Sequence, residues 1–123
     1  MGEIPTPSVP EVRRDAAPEW HELWQEAHRV MRPYGRTPGL HLIDQLTKTP
    51  HRRWLRSQFD AIALCTLGNS STEQADGRRQ WRIRLLNPAT MRREVVRVIL
   101  EQNGFEIMNA FPERQGRTNG NPR

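Results

Sequence analysis

The chain has 123 residues, 35% of them hydrophobic, and a mean hydropathy of −0.83, which fits one domain with a modest core. No apolar run approaches the roughly 18 residues of a membrane span, and the single Cys65 excludes an intrachain disulfide and a cysteine-based zinc site. The net charge of +5 is uneven: residues 1–77 carry nine Lys and Arg against ten Asp and Glu, whereas residues 78–123 carry ten Arg against four Glu. Such clustering predicts a polyanionic partner.

Both ends of the chain predict segments outside the domain. Residues 1–17 contain Pro5, Pro7 and Pro10 with few apolar residues, so we expect a flexible, proline-rich lead. Residues 114–123 are rich in Gly, Asn and Arg and predict a basic, flexible tail. A single domain is therefore expected over residues 18–113.

Helical spacing dominates the first half of the domain. From Pro18 to Met31, apolar residues recur every three or four positions and predict a helix that ends before Pro33. Residues 40–46 predict a short helix or a turn. Thr49 and Pro50 form a good N-cap and first-turn pair, so a further helix is predicted from there to about residue 67.

The period changes to two after Arg78. Residues 81–86 alternate as in a half-buried strand, and residues 87–90 predict a turn. The Val- and Ile-rich residues 94–101 favour a strand because β-branched side chains are restricted in helices, although a helix from Met91 to Gln102 is the alternative. Asn103-Gly104 is a strong hairpin signal, and the alternation that follows predicts a strand to Phe111.

These elements predict an α+β domain, with N-terminal helices packed on one face of a small twisted antiparallel β-meander whose strands are confined to about residues 79–112. A two-residue turn at Asn103-Gly104 sets the register. The expected pairs are Leu100 with Ile107, Val98 with Asn109, and Val96 with Phe111. In this register Phe111 lies on the covered face.

Arginine and aromatic residues near the predicted sheet suggest how it contacts a partner. Arg82, Arg84 and Arg97 are expected to form a row across the open face, where a guanidinium binds phosphate well. Trp81 is a candidate for stacking on a base, with burial in the core as the alternative. Asn109 lies in an apolar stripe, so its amide must bond either to another part of the chain or to substrate.

The four histidines differ in their suitability for proton transfer. His41 lies in the segment between predicted helices, where site residues are common, and Asp44 is placed to orient its ring. An ordinary loop histidine is the alternative. His21 and His28 stand two turns apart on one helix and make a poor pair, and a structural or exposed role is expected for His51.

The chain resembles the ribonuclease domain of colicin D, and through it the barnase–EndoU–colicin E5/D–RelE group of toxin folds. The resemblance covers residues 40–111 and is best over residues 81–111, where a strand, Asn-Pro-Ala-Thr-Met, a Val/Ile strand, Asn-Gly and a final strand follow in order. The segment Phe-Asp-Ala-Ile at residues 59–62 is similar to that family's long helix. His41 and Asp44 fall where the family keeps its catalytic histidine, although Gly39 and Leu40 stand in place of the lysines before it.

The resemblance implies a metal-independent endoribonuclease toxin that cleaves tRNA by attack of the ribose 2′-OH, giving a 2′,3′-cyclic phosphate. With the resemblance, the candidate catalytic residues are His41, Asp44 and Asn109 together with an arginine in place of the missing lysine charge, Arg84 before Arg36. The candidate substrate-binding residues are Phe111, and Trp81, Arg82 and Arg97 from the strand pattern. No metal and no cofactor are expected. The implied partners are RNA and an acidic immunity or antitoxin protein, and the implied site of action is the cytoplasm, after delivery as the C-terminal domain of a larger secreted toxin.

Two other functions fit the same residues. The chain is alternatively a non-catalytic nucleic-acid-binding module that uses the arginine row, which differs from the enzyme in needing no histidine. The third hypothesis is an interaction protein of a toxin system, such as an immunity or antitoxin protein. The basicity of the chain argues against it, because a binder of a basic nuclease is expected to be acidic.

Overall fold

The computed structural model describes residues 16–68 and 70–113, so that nearly all of the predicted lead (residues 1–17) and all of the predicted tail (residues 114–123) lie outside the described residues. The described chain forms the helices α1 (Glu19–Met31), α2 (Leu40–Lys48) and α3 (Phe59–Gly68), the 3-10 helices Arg32–Tyr34 and Pro50–Gln58, and the strands β1 (Thr37–Pro38), β2 (Thr72–Glu73), β3 (Arg79–Asn87), β4 (Arg92–Leu100) and β5 (Glu106–Pro112). The predicted α+β class is confirmed, with the helices preceding the main strands.

Helix α1 forms where helical spacing predicted it. Its apolar stripe is buried at Trp20, Leu23, Trp24, Ala27 and Met31. The stripe turns one face of the helix toward the sheet and toward α2 and α3, as an amphipathic helix requires.

Helix α2 starts where the chain passes very close to β5. The amide of Gly39 donates to the carbonyl of Ile107 at 2.9 Å. A Cβ at Gly39 would lie 2.5 Å from Oε2 of Glu106 and 3.1 Å from the carbonyl oxygen of Ile107, so a larger residue does not fit without a shift. This close approach fixes the start of α2 at the edge of the sheet. Residues 40–48 form a helix, which is one of the two structures predicted for this segment.

The helix predicted from Thr49 to about residue 67 is only half right. Residues 50–58 are a 3-10 helix and the α-helix begins at Phe59. Thr49 does not cap through its side chain, because its hydroxyl contacts Oε1 of Gln45 at 3.3 Å instead. The tighter winding carries Arg52 and Trp54 to different surroundings from those an α-helix would give them.

The described strands form one sheet in the order β1-β5-β4-β3-β2. The meander of β3, β4 and β5 is antiparallel, as predicted, and residues 92–100 are a strand rather than the alternative helix. Strands are not confined to residues 79–112, however. The two-residue β1 pairs parallel to β5, and the two-residue β2 pairs antiparallel to β3, so the sheet is mixed.

The hairpin register changes within β5. Leu100 pairs with Ile107 as predicted, but Ile99 pairs with Asn109, so Met108 is an extra residue on β5 and forms a β-bulge. The remaining predicted pairs, Val98 with Asn109 and Val96 with Phe111, are therefore wrong: Val98 pairs with Ala110 and Arg97 with Phe111. The turn is also longer than predicted, because Glu101 and Glu106 close a loop of residues 102–105.

The bulge decides which side chains enter the core. Ile107 and Ala110 are both fully buried in the cluster that the helices share with alternate residues of β3 and β4. Phe111, predicted on the covered face, shares the opposite face with Arg82, Arg84 and Arg97. We call this opposite surface the arginine face.

Candidate functional site

The middle row of the arginine face joins three strands. Arg82 on β3 pairs with Arg97 on β4, and Arg97 pairs with Phe111 on β5. Residues paired in adjacent strands point to the same side of a sheet, so two guanidinium groups and one aromatic ring form a continuous row. The predicted arginine row therefore exists, with Phe111 as an unexpected member.

Glu113 holds the two arginines of this row. One of its carboxylate oxygens accepts from Nη2 of Arg82 at 2.7 Å, and the other accepts from Nε of Arg82 at 2.9 Å and from Nε of Arg97 at 2.8 Å. These hydrogen bonds lower the pKa of Glu113 below its usual value, and the bond from Arg82 has the largest effect. The carboxylate is thus ionised at neutral pH and fixes both guanidinium groups in place, while it neutralises one of their two charges.

Arg52 reaches the same row from the 3-10 helix. Its Nη1 donates to Oδ1 of Asn109 at 3.2 Å, and its guanidinium carbon lies 5.4 Å from the centre of the Phe111 ring, on which Arg97 also lies at 5.9 Å. Burial lowers the pKa of Arg52. Its buried Nε has no hydrogen-bond partner among the described residues, which leaves one donor for an acceptor from outside.

Asn109 uses its side-chain oxygen within the chain. Besides Arg52, the backbone amide of Ala110 donates to its Oδ1 at 2.9 Å. The side-chain oxygen of Asn109 thus positions Arg52, as the alternative of a bond to another part of the chain predicts. Arg84 lies on the arginine face one row beyond Arg82, opposite Val95, and is exposed.

The predicted catalytic pair of His41 and Arg84 is not brought together. His41 is exposed in the first turn of α2, three residues after Pro38. Across the sheet, Pro38 pairs with Ile107, Ile107 with Leu100 and Leu100 with Arg79, so Pro38 is level with Arg79. Arg84 lies on β3, three strands away from β1, and five residues beyond Arg79. At about 4.8 Å per strand and about 3.4 Å per residue, the two sites are on the order of 20 Å apart.

Asp44 and Trp81 both have structural roles away from the arginine face. Oδ1 of Asp44 accepts from Nε1 of Trp20 at 2.9 Å, so this carboxylate ties α2 to α1. Trp81 is 6% exposed and belongs to the core between sheet and helices. The structure therefore corrects the expectation that Trp81 stacks on a base and supports the alternative that it is a core residue.

A cleft of about 650 Å³ lies beside the arginine face, between the 3-10 helix Pro50–Gln58 and the turn that joins β3 to β4. Its walls include His51 and Trp54 on the helix, Asn87 and Glu94 on the strands and Thr90 in the turn, with Pro112 and Glu113 at the end of β5. Glu113 belongs to both places, because it lines the cleft and binds Arg82 and Arg97. Asn87 and Glu94 lie on the helix side of the sheet, because Glu94 pairs with the core residue Leu85, so the cleft meets the arginine face at Glu113, at the end of β5.

Sequence reasoning missed Arg52, Glu113 and the cleft. Arg52 lies 57 positions from its partner Asn109, and no periodic pattern links them. The sequence predicts a structural or exposed role for His51; it is exposed, and it lines the cleft. The one available signal was the placement of Glu113 two residues after Phe111, which alternation along a strand puts on the same face.

Comparison of the chain with protein-family models, with curated proteins and with solved structures gives no significant match. The resemblance to colicin D rests on the sequence motifs alone. Within residues 16–68 and 70–113, no three His, Cys, Asp or Glu side chains are grouped so as to hold a metal ion. No helix in those same ranges is both long and apolar enough to cross a membrane.

Proposed function

We propose that the chain binds single-stranded RNA on the arginine face and cleaves it as a metal-independent endoribonuclease. The observation that carries this proposal is the convergence of Arg52, Arg82 and Arg97 around Phe111 and Glu113.

Single-stranded RNA fits this surface better than a duplex. Guanidinium groups bind phosphate oxygens in a planar, two-pronged geometry, and an aromatic ring offers a surface on which any base stacks. Both features occur within one row of the sheet, at the spacing of adjacent strands. RNA-binding sheets that combine exposed aromatic rings and basic residues recognise unpaired bases in this way.

Cleavage requires a base and an acid near the same phosphate. The base removes the proton of the ribose 2′-OH, the 2′-oxygen bonds to the adjacent phosphorus, and the bond from phosphorus to the 5′-oxygen breaks as the acid protonates that oxygen. Glu113 is ionised and can take the proton, and His51 lines the same cleft and can supply one. Arg82 and Arg97 stabilise the charge on the phosphorane.

We therefore assign to His51 the proton-transfer role that sequence analysis expected of His41. His51 shares its cleft with Glu113, whereas His41 lies at the start of α2, at the far edge of the sheet. On the resemblance to colicin D, we extend the proposal to a toxin that acts on tRNA in the cytoplasm, leaves a 2′,3′-cyclic phosphate, and is neutralised by an acidic immunity protein that covers the arginine face.

One observation favours the alternative of a non-catalytic RNA-binding module. Glu113 already accepts hydrogen bonds from two arginines, and a carboxylate held in this way is a weaker base than a free one. In that case the cluster binds RNA and no histidine matters.

A cleavage assay with matched histidine variants decides between the two functions. Total RNA is incubated in EDTA with the wild-type chain, with His51→Ala and with His41→Ala, and the new ends are mapped. Loss of general acid–base catalysis typically slows a reaction by about a hundred- to ten-thousand-fold. We expect this loss for His51→Ala and none for His41→Ala, which is the matched control because both residues are exposed in the first turn of a helix. Absence of cleavage by the wild-type chain, with RNA binding intact, establishes the non-catalytic module.

A further inference from the structure

Strand β3 has a free edge over most of its length. β4 pairs with it from Arg79 to Asn87, but on its other side β2 pairs only with Arg79 and Gln80. Within residues 16–68 and 70–113, no strand lies beside residues 81–87 on that side. Alternate residues of a strand direct their backbone N–H and C=O groups outward, so this edge is able to pair with one more strand.

An apolar groove lies beside this free edge, between β3 and α3. Its volume is about 520 Å³, and its walls include Ile83 and Leu85 on β3 and Leu64 and Leu67 on α3. Leu64 is 54% exposed and Leu67 is 51% exposed, so α3 is apolar on its outer side as well as on its buried side. An amphipathic surface helix has a polar outer side, and a contiguous apolar patch in its place commonly marks an interaction site.

The side chains of β3 alternate between an apolar side and a basic side. Ile83 and Leu85 line the groove, whereas Arg82 and Arg84 are exposed on the arginine face. Arg82 is bound to Glu113, but Arg84 makes no ion pair with any described residue. A strand added to this edge alternates in the same way, with every second side chain in the groove and the others beside the two arginines.

The charges of the edge select the strand that fits. Two copies of this chain joined through their β3 edges would bring their positive rows together, and like charges opposite one another in a sheet are destabilising. A segment in which acidic and apolar residues alternate places carboxylates beside Arg82 and Arg84 and apolar side chains in the groove. Charged side chains on an edge strand normally prevent self-association, and here they also favour an acidic partner.

We propose that β3 binds an extended segment of an acidic protein partner, which adds to its free edge as a further strand of the sheet. Main-chain hydrogen bonds to residues 81–87 supply affinity, and the alternating side chains supply specificity. The acidic side chains of the segment contact Arg82 and Arg84, and its apolar side chains pack on Leu64 and Leu67. This inference goes beyond the proposed function, because a chain that neither binds nor cleaves RNA has the same edge and groove.

The test uses the full chain and two peptides of about nine residues, in which valine alternates with glutamate or with lysine. Both are acetylated, amidated and labelled with fluorescein, and binding is measured by fluorescence anisotropy. We expect the glutamate peptide to bind at least about tenfold more tightly, because the cross-strand charge pairs are attractive rather than repulsive. Hydrogen–deuterium exchange of backbone amides within residues 81–87 should slow when the glutamate peptide is added, because the outward amides become hydrogen-bonded.

Two variants with matched controls locate the contact. Arg84→Glu should bring the affinities of the two peptides within about twofold of each other, whereas Arg29→Glu, the same charge change at an exposed position on α1, should leave the tenfold preference intact. Leu64→Asp should weaken binding of the glutamate peptide by about tenfold, because one apolar contact in the groove is lost. Leu40→Asp changes an exposed leucine at the start of α2 and should have no effect.

Equal affinity of the wild-type chain for the two peptides, or binding without slower exchange in residues 81–87, overturns the proposal. A dimer that forms without peptide and slows exchange at the same amides assigns the edge to a second copy and also overturns it. RNA binding is measured separately on the same chain, so the proposed function stands or fails on its own result. The peptide comparison on the wild-type chain decides the matter even if a variant does not fold.

Discussion

The salt dependence of RNA binding should report how many arginines of this surface contact phosphate. Four guanidinium groups lie on or against the arginine face, those of Arg52, Arg82, Arg84 and Arg97. Each phosphate contact on a single strand contributes about 0.7 to the slope of log K against log salt concentration, so we expect a slope of about −3. Between 50 and 200 mM salt, the affinity should then fall about fifty-fold.

Replacing Arg82 and Arg97 with glutamine removes two of these charges and leaves amide donors for Glu113. The slope should fall to about −1.4, and the loss of affinity over the same range to about sevenfold. The assay is fluorescence anisotropy with a 2′-O-methylated U10 oligomer, with thermal unfolding as a check on the fold.

The matched control is the double variant Arg29→Gln, Arg32→Gln. Both of these arginines are exposed at the end of α1, on the side of the sheet away from the arginine face, and the variant has the same net charge as the first. Its slope should equal that of the wild-type chain. Equal slopes for both double variants would show that net charge alone attracts RNA, and the assignment of the arginine face would be refuted.

Three further outcomes follow from the same structure. Phe111→Ala should weaken binding of single-stranded RNA by about 5- to 150-fold, the equivalent of one lost base stack of about 1–3 kcal/mol, whereas Phe105→Ala, at an exposed ring in the β4–β5 loop, should change the dissociation constant less than twofold. Burial raises the pKa of Cys65 to about 12, so iodoacetamide at pH 8 should alkylate the folded chain far more slowly than the denatured chain, and equal rates would contradict this. Because the folded-state pKa of Glu113 is lowered from 4.5, chiefly by Arg82, the stability it contributes should be present above about pH 4.5 and be lost as pH falls through the folded-state value; the Tm of Glu113→Gln should fall less between pH 5 and pH 3 than that of the wild type.

The fold was predictable where one period ran long enough to be read. The three- and four-residue spacing of α1 and the alternation of β3 cover thirteen and nine residues, and both elements were found. Strands β1 and β2 have two residues each, which is too short for any period, so they form only because β5 and β3 already offer free edges. Over one or two turns, the apolar spacing of a 3-10 helix is the same as that of an α-helix. The sequence pattern therefore predicts an α-helix over residues 50–58, where the structure has a 3-10 helix.

The candidate site was predictable only in part, for a related reason. Arg82, Arg84 and Arg97 follow from alternation within two adjacent strands, which the sequence displays directly. Arg52 and Glu113 join them through contacts between separate elements, and such contacts depend on how the 3-10 helix and the end of β5 meet. Local sequence patterns do not indicate how these two elements pack against each other.

The β-bulge at Met108 explains why the centre of the site escaped prediction. Ala110 and Phe111 are both apolar, so either one satisfies an alternating pattern, and the pattern alone cannot choose which faces the core. Packing against the helices decides between them, because the small Ala110 fits the fully buried position beneath the helices. The extra residue Met108 shifts the register so that Ala110 occupies this position. The same shift turns Phe111 outward beside Arg97 and places Glu113 where it binds both arginines. The cluster therefore exists because of one inserted residue, and bulges of this kind commonly redirect side chains next to functional sites.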